Sequence, residues 1–126
     1  AMMNRLWEFE KSFYDQGGLL TAGSDPCCVW VIAGFGDQRN YELLAGRGGF
    51  TAGEAAQVMT RNDARVLGID DRVGTVQSGM QADLIVLEGA LADDPTVIRN
   101  TRIVFRKGVG YDSQEILKQL KGRVGR

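Results

Sequence analysis

From Met3 to Tyr14 the apolar residues recur at helical spacing. Met3, Leu6, Trp7, Phe9, Phe13 and Tyr14 predict an amphipathic helix over residues 3–15. Gly17-Gly18 ends it in the manner of a C-cap. The pattern then becomes continuous. Leu19-Leu20-Thr21-Ala22 runs into Gly23-Ser24-Asp25, and Pro26 stops it. This predicts a buried strand over 19–24 that delivers Asp25 to its C-terminal tip, the place where parallel α/β folds hold their chemistry. A helix, a glycine turn and a buried strand make the second half of a βαβ unit, which expects a parallel partner strand upstream. The sequence offers none. The pattern therefore expects a fragment, or a chain that completes itself with another copy.

Further on, Cys28-Val29-Trp30-Val31-Ile32-Ala33 has strand propensity and is broken by Gly34-Phe35-Gly36. It fits a loop over the strand tip or a short edge strand. Asp37 is placed to cap a helix through Tyr41, Leu43, Leu44 and Ala45 to Gly46. Thr51-Ala52-Gly53-Glu54 is a capping box, and the helix it opens offers Ala55, Ala56, Val58, Met59, Ala64, Val66 and Leu67 for burial before Gly68. The period then changes. Val73-Gly74-Thr75-Val76 predicts a short strand, Ser78–Gln81 a turn, and Ala82–Glu88 a near-continuous apolar strand of the buried kind. Thr101–Gly108 alternates as a strand ended by a glycine turn. Asp112 or Ser113 caps a last helix with Ile116, Leu117 and Leu120 on one face. The expected fold is mixed α/β: a small, partly parallel sheet with three or four helices, and not a complete barrel.

Composition narrows the function classes. At 126 residues the size prior is one domain. A net charge of −1 argues against a general nucleic-acid or anionic-membrane surface. The one basic excess, Lys118, Lys121, Arg123 and Arg126, falls at the end of the last helix, where cations suit the helix dipole. No apolar run is long enough to span a bilayer, and no signal-peptide pattern occurs, so the expected location is the cytoplasm. The opening Ala1-Met2-Met3 reads as a cloning remnant ahead of a natural methionine. Cys27 and Cys28 are adjacent, which disfavours a bridge between them, and the chain has no histidine to complete a zinc site. They read as free thiols.

From Thr51 onward the motifs resemble a known family. Thr51–Ala56, Thr60-Arg61-Asn62-Asp63-Ala64-Arg65-Val66-Leu67-Gly68 and Gly74–Leu87 are similar to the C-terminal part of the amidohydrolase superfamily. Ile98-Arg99-Asn100, Val104–Gly108 and Tyr111-Asp112 continue the likeness, and Gly23-Ser24-Asp25 resembles the tip of that family's last barrel strand. The imidazolonepropionase-like and Xaa-Pro dipeptidase-like members are the nearest in pattern. The resemblance implies a division. Residues 1–67 would be a remnant of the end of a (β/α)8 barrel, its last helix–strand–helix unit. Residues 68–126 would be part of a small β-sandwich with a C-terminal helix, the two forming one compact unit.

The resemblance also implies a metal-dependent hydrolase of amide or peptide C–N bonds, with zinc or another divalent metal. Asp25 matches the carboxylate that touches the metal and accepts a proton from its water. The histidines and the other ligand residues of that site have no counterpart here, and a full barrel runs to about 250 residues. One carboxylate does not hold a catalytic metal. The expectation is thus a truncated amidohydrolase, inactive alone and without a cofactor of its own, with Asp25 a metal ligand only if another chain supplies the rest. The alternatives are a homo-oligomer joined through the edges of strands 19–24 and 82–88, or a half-site completed by a partner chain carrying the missing barrel. The bland reading of Asp25 is a turn cap before Pro26. Arg39 and Glu42 read as a solvated helical ion pair ahead of substrate contact. Asp83 reads as a turn aspartate bonding nearby backbone, Trp30 and Phe35 as a pocket mouth or apolar filling, and Asn62 as a helix-end residue without chemistry.

Overall fold

The computed structural model describes residues 2–26, 31–32 and 34–123. Cys27, Cys28, Trp30 and Arg126, and most of the segment anticipated as a loop or edge strand, lie outside the described residues.

Helix α1 spans Met2–Asp15. Its end is a Schellman turn: Gly17 sits at φ 86°, its N–H reaches the Tyr14 carbonyl, and the Gly18 N–H reaches that of Phe13. Tyr14 meets Phe50 edge to face, ring centroids 5.3 Å apart. Lys11 lies over both rings, its Nζ 5.8 Å from one centroid and 5.5 Å from the other.

The anticipated strand 19–24 is extended but belongs to no ladder among the described residues. A strand needs a hydrogen-bonded neighbour, and here side chains take that place. The Leu20 carbonyl accepts from Asn62 Nδ2 at 2.9 Å, and the Ala22 N–H donates to the Asp63 carboxylate at 3.4 Å. Leu20 and Ala22 still point inward, packed against the buried cluster of Tyr41, Phe50, Ala55 and Val58.

Helix α2 spans Phe35–Gly46. It begins before Asp37, behind Gly34 at φ 80° and without a side-chain cap, so Asp37 lies in the first turn and not at the cap. There its charge still suits the helix dipole. The capping box forms as read: the Glu54 N–H donates to the Thr51 hydroxyl at 3.3 Å, and the Thr51 N–H to the Glu54 carboxylate at 2.8 Å. The helix it opens is not uniform. Helix α3, Ala52–Gln57, widens into a π turn over Val58–Asn62 and resumes as α4, Asp63–Val66. A second Schellman turn at Gly68 ends it.

The sheet has three strands in the order β1-β2-β3: Leu84–Leu87, Thr101–Arg106 and Val109–Asp112. Both pairings are antiparallel, so the partly parallel sheet is corrected. The parallel expectation rested on strand 19–24, which does not enter this sheet. Residues 73–76 form no strand. Gly74, at φ 96°, lies against the long helix: a Cβ there would come within 2.7 Å of the Ala64 Cβ. Close backbone approach, not pairing, explains this glycine. Strand β1 is not buried on both faces either, since Ile85 and Val86 are 47% and 41% exposed. β2 alternates half-buried and exposed, as read.

Strand β3 was not anticipated. It follows Lys107-Gly108, whose φ values of 51° and 81° suit a two-residue hairpin turn. Asp83 clips this turn, accepting from the Lys107 N–H and the Arg106 guanidinium, each at 2.6 Å. The Lys107 N–H, above all, holds the Asp83 carboxyl below its ordinary range. Helix α5, Ser113–Leu120, is capped by Asp112, which accepts from Gln114 and Glu115 N–H. The mixed α/β class holds, with no closed barrel among the described residues. No helix among them is long and apolar enough to cross a membrane.

Candidate functional site

Asp25 stands at the end of the extended segment, solvent-exposed, at φ 40°. Only Lys107 shares a positive φ among the described residues other than glycine. Aspartate tolerates this region better than most side chains, and the chain turns here into Pro26. The segment that carries Asp25 is anchored from one side by consecutive helical residues, Asn62 and Asp63. Asn62 is 3% exposed. Burial pushes the Asp63 carboxyl up, the Ala22 N–H opposes that, and the nearby charge of Asp37 adds to the rise.

No group of three or more histidine, cysteine, aspartate or glutamate side chains that could hold a metal ion occurs among the described residues. Among the described residues, those around Asp25 do not fit a catalytic metal, which needs three protein ligands and an open position. No step is therefore derived through one. An open groove of about 710 Å3 runs between α1 and Arg47–Gly49, lined by Trp7, Lys11, Asp15 and Arg47 among others. Asp25 is not part of it.

The strongest electrostatic feature is elsewhere. Glu42 is 7% exposed and is clamped by two arginines. Arg39 Nη1 donates to its Oε2 at 3.0 Å; Arg99 Nη2 donates to the same oxygen at 3.0 Å while its Nε takes Oε1. The fork from Arg99 is bidentate. The Arg99 bonds first, and Arg39 after them, hold the Glu42 carboxyl below its ordinary value against the opposing effect of burial. The solvated ion pair read from sequence is thus a buried clasp with a third member 57 residues away. It ties α2 to the short 3-10 turn Pro95–Arg99. Both carboxylate oxygens accept from this chain's own arginines, which gives Glu42 a structural tie between α2 and that turn. Phe35 opens α2 with its ring exposed.

Asn62, read from sequence as a helix-end residue without chemistry, lies in the helix interior and holds the Leu20 carbonyl. The available signal was its place in the interior of a strongly patterned helix, where a buried amide needs a partner.

Residues 16–111 match the profile of the amidohydrolase family. The chain belongs to the amidohydrolase family. Comparison with curated proteins gave no match. Among solved structures, this amidohydrolase chain is similar to a protein from Bifidobacterium longum assigned as a prolidase, at 25% identity and a TM-score of 0.72. That likeness covers 89% of this chain and 29% of the other. A Xaa-Pro dipeptidase solved with methionine in its active site is 26% identical with a TM-score of 0.69, over 85% of this chain and 25% of that one. A prolidase solved with N-methylphosphonate-L-proline shares the fold, with a TM-score of 0.65 at 21% identity. The chain spans less than a third of the length of each of these structures.

Proposed function

We propose that this chain is the closing segment of a metal-dependent hydrolase of C–N bonds, acting on Xaa-Pro dipeptides, and that the segment alone does not hydrolyse. Residues 1–67 would end the barrel and residues 68–126 form the flanking β-rich unit. The observation that carries this reading is Gly23-Ser24-Asp25 at the tip of an extended segment, in a chain 26% identical to a Xaa-Pro dipeptidase over 85% of its length. Asp25 would act as a general base and metal ligand only when the remaining ligands come from outside these 126 residues. The test is elemental analysis of the untagged chain after equilibration with zinc or manganese, with Xaa-Pro dipeptide turnover measured on the same sample. The expected result is no stoichiometric metal and no turnover. Turnover that disappears in Asp25→Asn would overturn the inactive segment.

A further inference from the structure

We infer that Asn62, Asp63 and Gly36 are positioning residues for Asp25: from two helices they fix alternate residues of the extended segment, and so set where its carboxylate stands. The inference rests on the reading of Asp25 as the site carboxylate and adds what holds it there.

Burial along the segment has a period of two. Leu20, Ala22 and Ser24 are half-buried, while Leu19, Thr21, Gly23 and Asp25 are exposed. Alternate residues of an extended chain share one face, so the segment lies with one face on the protein and the other open. Two of the three inward residues are held through their backbone. Asn62 donates to the Leu20 carbonyl at 2.9 Å, and the Ala22 N–H donates to Asp63 at 3.4 Å. These two groups flank Thr21, and a single residue of a parallel neighbour strand would take both. Two consecutive side chains, one ending the π turn and one opening α4, stand in for that residue. They fix the segment along its length as well as across it.

The third inward residue is held by shape. Gly36 lies in the first turn of α2, where helix propensity favours alanine. A Cβ there would come within 2.7 Å of the Ser24 Cβ and 2.8 Å of Val31 Cγ1. The missing side chain lets α2 close onto Ser24, the residue directly before Asp25. From the Ala22 anchor to Asp25 the chain is three residues, at most about 10 Å, with the Ser24 contact inside that span. Asp25 is thus exposed and carried on a fixed base. A reacting group on an open tip needs such a base, because a misplacement of about 1 Å costs about 100-fold in rate.

The test is the backbone 15N order parameter of Asp25 in the whole chain, with circular dichroism to confirm that each variant is folded. Wild type is expected near about 0.85, the value of rigid backbone, and Asn62→Leu and Asp63→Ala below about 0.6. Asp63→Asn keeps an acceptor oxygen without the charge and is expected to match wild type. Gly36→Ala is expected to lower the value, whereas Gly53→Ala, a helical glycine with open space around it, leaves it unchanged. Glu42→Gln, which loosens the chain elsewhere, is also expected to leave it unchanged. A wild-type value already below about 0.6 overturns the inference. So does a folded set of Asn62→Leu, Asp63→Ala and Gly36→Ala that keeps the wild-type value, or a fall in Glu42→Gln as large as theirs. If Asn62→Leu does not fold, the comparison of Asp63→Ala with Asp63→Asn decides, and equal values overturn the inference. No readout here is turnover or bound metal, so the Xaa-Pro reading can fail in its own experiment while the hold on Asp25 stands, and the reverse.

Discussion

Glu42→Gln removes the charge from the one buried carboxylate that joins α2 to the Pro95–Arg99 turn. Glutamine keeps the volume and one acceptor oxygen but cannot receive the fork from Arg99. A hydrogen bond to a charged group contributes about 1.5–3 kcal/mol, and breaking a fully buried ion pair costs about 3–5 kcal/mol. Here Arg39 and Arg99 are 55% and 45% exposed, so water screens the pair and can solvate both arginines once it is broken. We therefore expect a loss of about 2 kcal/mol at pH 7, which shifts a urea midpoint by roughly 1 M.

The pH dependence checks the cause. The Glu42 pKa in the folded chain lies below its ordinary value of 4.5. A carboxyl with a depressed folded pKa contributes stability that is fully present above its unfolded pKa and is lost as pH falls through the folded one. The gap between wild type and Glu42→Gln should thus be constant from pH 7 to about pH 5.5 and shrink below 4.5. The assay is urea unfolding followed by circular dichroism, at one low protein concentration so that association does not enter. A gap under about 0.5 kcal/mol at pH 7, or one that persists undiminished at pH 3, would refute the clasp as a charge interaction.

Two more expectations follow from the same packing. Asn62→Ala should cost about 1–3 kcal/mol by stranding the Leu20 carbonyl, and should speed amide exchange at residues 20–22 more than at β2. Uniform acceleration across the chain would mean that Asn62 has no local hold. Gly74→Ala should cost at least about 2 kcal/mol by thermal melting, because positive φ and a contact with Ala64 act together. Gly68→Ala, also at positive φ but in open space, should cost about 1 kcal/mol. Equal costs at the two positions would contradict the close approach.

What the sequence made readable was local. The capping box at Thr51 and Glu54 depends on residues three apart, and α1 and β2 each carry a full period of their own. The extended run 19–24 was legible as a shape, but whether a strand has neighbours is decided by residues far away, and periodicity is silent on that. Residues 73–76 have two valines and read as a strand, yet Gly74 serves a helix contact. Strand β3 was hidden because Val109-Gly110-Tyr111-Asp112 is short and contains glycine; the cue was the Lys107-Gly108 turn. The Glu42–Arg99 pair and the Asn62 bond to Leu20 span 57 and 42 residues, so neither leaves a trace in local pattern. The position of Asp25 at a segment tip was readable from Gly-Ser-Asp-Pro, while the groups it would work with are not set by its neighbours in sequence.

The π turn at Val58–Asn62 acts as a phase setting for everything downstream of it. A wide turn holds one residue more than an α turn, which rotates the following residues by about 100° about the axis. In the present phase Asn62 and Asp63 reach Leu20 and Ala22, and Ala64 meets Gly74. Removing one residue from the turn would give a more regular helix with the same composition and the same caps. It would also swing all of these contacts away together, leaving the segment that carries Asp25 unanchored. The irregularity is thus what lets one helix address two neighbours at once, and a local gain in helical regularity would be a loss for the chain.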